Sequence, residues 1–159
     1  MTEPQVTRFD TRADCEAAFR ACLAASHARL EMFDPDFAVY PLGASDVDAL
    51  LRAFLERGGE LRLAMHASAH IERHYPRFLR LLRDYGHRIE CRTTDRSLAG
   101  LTDSFCIGDG VHIVRRFHSD HMRGEAALDA PAATEVPRER FAAIWEASRP
   151  GLAPTTTGL

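Results

Sequence analysis

Between Ser45 and His66 the chain changes hydrophobic period in mid-course, and that change constrains its fold more than any other feature. Val47, Leu50, Leu51, Phe54 and Leu55 recur at helical spacing behind a Ser45/Asp48 capping-box pattern, and Gly58-Gly59 ends the run. From Glu60 to His66 the pattern becomes strict alternation, with Leu61, Leu63 and Met65 on one side, which predicts a strand. A helix delivered by two glycines into a half-buried strand is the joint of an α/β unit.

The same alternation runs through the rest of the chain. The pattern predicts a strand over 6–9 and a helix over 11–26, with Thr11/Asp14 as its cap and Cys15, Phe19, Cys22 and Leu23 on its inner face. A strand over 29–33 stops at Asp34-Pro35-Asp36. A helical region over 68–85 is interrupted near Tyr75, because Pro76 disfavours helical geometry in the residue before it. A strand over 88–92 and a loop over 93–101 follow. Strands over 103–107 and 111–117 are joined by the tight turn Gly108-Asp109-Gly110. The segment 118–136 reads as irregular, and a last helix starts at Pro137, suited to a first-turn position, and buries Phe141, Ile144 and Trp145. The order β-α-β-α-β-α-β-β-β-α predicts a single α/β domain with a mixed, mostly parallel sheet and helices on both faces. The domain is expected over 1–149, with an extended tail over 150–159.

With 159 residues, 45% of them apolar, the chain can bury about two thirds of its unfolded surface in one core. The net charge of −3 argues against a strongly basic nucleic-acid binder. Met1 to Asp10 lacks the layout of a secretory signal, and no apolar run approaches the length of a bilayer span, so the expectation is a cytoplasmic protein without a membrane partner. The four cysteines form no Cys-x-x-Cys pair and read as small buried hydrophobes. All 20 of the Lys+Arg residues are arginine. Without lysine the chain cannot build a Walker A loop, a Schiff base or a kinase-type phosphate clamp.

Thr102-Asp103-Ser104-Phe105-Cys106-Ile107-Gly108-Asp109-Gly110 resembles the active-site strand of the phospholipase D-like superfamily, whose motif is His-x-Lys-x-x-x-x-Asp followed by Gly. Asp109-Gly110 matches the end of the motif, while Thr102 stands where the His belongs and Ser104 where the Lys belongs. The element order and the Phe141-x-x-x-Trp145 helix extend the resemblance to one half-domain of such a protein. In active members the His attacks phosphorus and the Lys holds the phosphoryl oxygens, so the resemblance implies that the chemistry has been lost here. The family's Gly-Ser-x-Asn falls on Arg116-Phe117-His118-Ser119, which does not match. Single half-domain members pair with a second copy, so the resemblance also implies a homodimer.

Other constellations have a functional and a structural account. Arg115 and Arg116 point to opposite faces of their strand, and one could reach the strand ends with Arg92 and Arg123 to hold phosphate oxygens. Pairing of these arginines with Asp34, Asp103, Asp109 or Asp120 is the preferred account. His118, Asp120 and His121 could ligate a metal only with help from His112, His66 or Asp103, and a polar loop is preferred. His66, His70 and His74 are spaced by four; His66 ends the strand over 60–66, and His70 and His74 are read as solvated helix histidines. Arg73, Arg77, Arg80 and Arg83 form a basic stripe able to follow a nucleic-acid backbone, but the overall acidity favours a solvated outer face.

The reading is therefore a catalytically inactive phospholipase D-like domain that binds a partner or a phosphate-bearing ligand. Its candidate ligand-binding residues are Arg92, Asp103, Ser104, Asp109, Arg116, His118, Asp120 and Arg123, with no catalytic residue, no metal and no cofactor. The alternative is a phosphodiesterase or nuclease using His118 with Asp120 and His121, with or without a metal.

Overall fold

The computed structural model describes residues 5–154. Its elements are β1 (Thr7–Phe9), α1 (Arg12–Ala25), β2 (Arg29–Phe33), α2 (Ser45–Glu56), β3 (Glu60–Met65), α3 (Ala69–His74), α4 (Pro76–Asp84), β4 (Ile89–Thr94), β5 (Ser104–Gly108), β6 (His112–Arg116), β7 (Gly124–Ala127), α5 (Pro131–Glu146) and β8 (Ser148–Pro150). The eight strands form one sheet in the order β1-β7-β6-β5-β2-β3-β4-β8. The α/β class and the mixed sheet stand as expected, but the sheet is mostly antiparallel rather than mostly parallel. Only β2-β3 and β3-β4 run parallel, because only these pairs are linked by helical crossovers. On one side the chain adds β5, β6, β7 and β1 antiparallel, and on the other it folds β8 back along β4.

Helices cover both faces. Phe19, Phe54, Ile71 and Phe78 from the first four helices pack with Leu30, Met32, Leu61, Leu63, Cys106 and Val114 on one face. Phe141, Ile144 and Trp145 of α5 pack with Phe33, Ala64, Phe105, Ile107 and Ile113 on the other. Alternation along β2, β3, β5 and β6 thus feeds two cores from one sheet.

Local chemistry explains the ends of several elements. The Thr11 hydroxyl caps α1 by accepting the Asp14 N–H at 3.1 Å. At α2 the capping-box pattern is not used: the N-cap is Ala44, without a side-chain bond. Asp109 and Gly110 both have positive φ, 54° and 69°, in the turn that the Val111 N–H closes on the Gly108 carbonyl at 3.0 Å. Pro131, not Pro137, occupies the first turn of α5, and Pro137 lies buried inside that helix. The segment read as irregular contains β7, whose Gly-Glu-Ala-Ala sequence has no intrinsic strand preference and is held by neighbours on both sides. Beyond β8, Gly151 donates to the Cys91 carbonyl at 3.0 Å and Leu152 is buried in the first core. The last residues of the expected tail, 155–159, lie outside the described residues. Among the described residues no helix is long and apolar enough to cross a membrane.

Candidate functional site

Because β5 is antiparallel to β2 and to β6, the end of β2, the start of β5 and the end of β6 meet at one edge of the sheet. Ser104 is directly opposite Arg116, and Phe33 directly opposite Phe105. The next residue after β2 is Asp34. These three polar side chains, Asp34, Ser104 and Arg116, are buried together at the strand ends, on the face covered by α1.

They form one network. The Ser104 hydroxyl donates to Asp34 Oδ1, and Arg116 Nη2 donates to Ser104 Oγ at 3.2 Å while lying 3.6 Å from Asp34 Oδ1. Asp34 Oδ2 accepts the backbone N–H groups of Asp36, at 3.0 Å, and Phe37. Phe37 is a buried, bulky residue with φ of 63°, a conformation that costs about 1–3 kcal/mol and persists only where the surroundings impose it. Here the Asp34 carboxylate holds the Phe37 N–H, and the Tyr75 hydroxyl donates to the Phe37 carbonyl at 2.8 Å. Burial pushes the Asp34 carboxyl up to about 6, and the bonds from Ser104, Asp36 and Phe37, with the Arg116 charge, offset only part of that rise. Two donors beside this network, Tyr40 Oη and Arg116 Nε, are buried without a hydrogen-bond partner among the described residues.

The other sequence candidates are spread around the molecule. Thr102 is half-buried in the segment just ahead of β5. Asp103 is turned to α5, where Arg140 grips it through both carboxylate oxygens. Asp109 is at the far end of β5 and accepts the backbone N–H groups of His27, Ala28 and Arg29 at 2.9, 2.8 and 3.0 Å. Arg92 belongs to the opposite face, its guanidinium 4.2 Å from the Trp145 ring centroid and bonded to Glu90 at 2.8 Å and the Trp145 carbonyl at 2.9 Å. Arg115 pairs across the sheet with Glu125. The structural account of these arginines therefore holds for Arg116, which pairs with Asp34, whereas Arg92 takes an acid that was not foreseen.

His118 and Asp120 are exposed in the turn between β6 and β7. The Nδ1 atoms of His118 and His121 accept the backbone N–H groups of Asp120 and Arg123, both at 3.1 Å. Among the described residues no three His, Cys, Asp or Glu side chains gather as metal ligands. His66 directly follows β3, at the strand end where the sequence placed it, with its ring nitrogens on Thr94 Oγ1 and the Leu101 carbonyl. Arg123 and His121 do line a cleft of about 620 Å³ with Arg8, Phe9, Asp10, Asp14, Phe117 and Gly124. Gly124 lets β7 pack this closely, since a Cβ there would meet the Arg115 carbonyl at 2.0 Å and the Phe9 ring at 2.5 Å.

Asp34 is the site residue that sequence reasoning passed over except as a pairing partner for arginine. Its signal was position: an acid immediately after an apolar strand of the parallel segment is placed at the carboxyl end of the sheet, where α/β folds bind ligands.

A protein-family model described as "Domain of unknown function (DUF7931)" matches residues 11–153. The chain belongs to this family. No curated protein matches the sequence. Solved structures show the fold. TrmBL2, an archaeal chromatin protein, is 12% identical with a TM-score of 0.69, over 92% of this chain and 54% of that one. The chain thus spans about half the length of the archaeal protein. Nuc from Salmonella typhimurium, a phospholipase D family member, is 16% identical with a TM-score of 0.66, over 95% of this chain and all 100% of that one. NucT from Helicobacter pylori is 10% identical with a TM-score of 0.63, over 94% and 100%. The DUF7931 domain described here has a phospholipase D-like fold.

Proposed function

We propose that this DUF7931 protein is a catalytically inactive phospholipase D-like domain that works by binding a partner or a phosphate-bearing ligand at the strand ends. The observation that carries the proposal is the bonding of Ser104. The residue standing where the family has its lysine is wholly buried and engaged by Asp34 and Arg116. A hydroxyl committed to a carboxylate offers no cationic clamp, and Thr102 has neither the basicity nor the leaving-group ability of imidazole. Arg116, Ser104 and Asp34 form the closed floor of the site in this reading, and Arg123 with its neighbouring cleft forms the approach. His118 and Asp120 support the turn that carries Arg123, while Asp103 and Asp109 brace the two ends of β5.

The archaeal neighbour, of which this chain matches 54%, is described as binding DNA. Overall acidity is therefore insufficient ground for reading nucleic acid as an unlikely partner.

Hydrolysis of bis(p-nitrophenyl) phosphate, with and without Mn²⁺ or Zn²⁺, tests the loss of chemistry. The expected rate is that of the buffer blank in every condition. Turnover that disappears in His118→Ala would overturn the proposal in favour of the phosphodiesterase alternative.

A further inference from the structure

Residues 73–83 contain four arginines and no acid, in a chain whose net charge is −3. Arg73 closes α3, and Arg77, Arg80 and Arg83 recur every third residue along α4. All four are exposed, while Phe78, Leu81 and Leu82 on the inner side of α4 are buried. Among the described residues none of the four makes an ion pair, and the only hydrogen bond from their side chains is Arg77 Nη1 to the Gly43 carbonyl at 3.0 Å. The acids nearby are engaged elsewhere: Arg52 holds Asp48 and Asp84, and Glu72 accepts the Ser68 hydroxyl. By contrast Arg20, Arg52, Arg92, Arg115, Arg116 and Arg140 each meet a carboxylate.

We infer that the outer face of α3 and α4 is a docking surface for the phosphate backbone of a nucleic acid. Net charge was the ground for reading this stripe as merely solvated, but it is the wrong quantity. Charges beyond a Debye length of about 8 Å are largely screened at physiological salt, so an approaching polyanion meets the local arginines and not the whole-chain sum. The alternatives fit less well. An interfacial helix must offer its apolar face to lipid, and here that face is in the core. Guanidinium forks repeated at about 4.5 Å of helix rise suit a polymer of regularly spaced phosphates better than the irregular charge of an acidic protein surface. The surface shares no residue with the strand-end site, so the two proposals stand or fall separately.

Fluorescence anisotropy with a labelled duplex of about 20 base pairs, read between about 50 and 200 mM salt, tests the inference. Four phosphate contacts predict a slope of log affinity against log salt between about −3 and −4. The triple variant Arg73→Glu, Arg80→Glu, Arg83→Glu should lose at least about 10-fold in affinity and flatten the slope by about 3. A control with the same charge change on other faces, Arg12→Glu, Arg138→Glu, Arg149→Glu, should keep the wild-type slope. The milder pair Arg80→Gln, Arg83→Gln keeps the side-chain stems over the helix and should flatten the slope by about 2. No rise in the anisotropy of the duplex on adding the wild type at low salt overturns the inference. So does equal loss in the stripe and control variants, which would mean that net charge alone matters. Binding to phosphatidylserine vesicles but not to the duplex would likewise overturn it, in favour of a membrane surface.

Discussion

Asp34 is wholly buried, yet its carboxylate faces a hydroxyl, two backbone N–H groups and a guanidinium. Even so, burial dominates and lifts its pKa from 3.8 to about 6. The folded chain therefore keeps this proton across a range where the unfolded chain has already released it. The contribution of Asp34 to stability is greatest below its unfolded value and falls as pH rises from about 4 to about 6. Urea midpoints measured across that range should show wild type losing stability relative to Asp34→Asn, whose difference curve isolates this group from the other carboxylates. A flat difference curve between pH 4 and 6 would show that the carboxylate is already as well solvated as in the unfolded chain. None of this was written in the residue types. Aspartate before Pro35 reads as a turn former, and only the return of β5 and β6 to the same sheet edge surrounds it with Ser104 and Arg116.

Among the elements, the hairpin of β5 and β6 depends on one side chain at its turn. Burial alone would raise the Asp109 pKa, but the N–H groups of Arg29, Ala28 and His27 outweigh it and hold the carboxyl below its usual value. A depressed acid stabilises the fold above its unfolded value, and that contribution is lost as pH falls through the lower folded one. Asp109→Ala should cost about 1–2 kcal/mol near neutrality, less than three fully buried bonds would imply because the site is partly exposed. The same variant should show a shallower loss of stability below about pH 4, measured by thermal unfolding. The tight turn was legible in advance, since Asp and Gly between two strands both tolerate positive φ. β7 and β8 were not legible. Both are short, neither has an alternating apolar pattern, and pairing to strands already in the sheet is what makes them strands. The early start of α5 was missed for a related reason. Two prolines were available to open it, and the contact of Ala130 and Ala133 with the second core favours the earlier one.

On the scale of the whole molecule, a single sheet separates two cores, and Trp145, the only tryptophan, belongs to the one beneath α5. The Arg62 and Arg92 guanidiniums both approach its ring, at 5.4 and 4.2 Å from its centroid. Because β2, β3, β5 and β6 contribute side chains to both cores, the two layers are expected to unfold together. Denaturant curves followed by Trp145 emission and by far-UV circular dichroism should have coincident midpoints. An earlier midpoint for Trp145 would show that the α5 layer opens on its own. The sequence by itself determined the alternation of strands and helices, the hairpin turn, the inner faces of α1 and α2, and the absence of any lysine to serve as a phosphate clamp. These are local matters of period, turn chemistry and side-chain type. Only the tertiary structure decided that the sheet is mostly antiparallel and that Asp34, Ser104 and Arg116 converge while Arg92 and Asp109 do not. Strand order joins residues far apart in the chain, and neither the order nor the burial it creates is encoded at any single position.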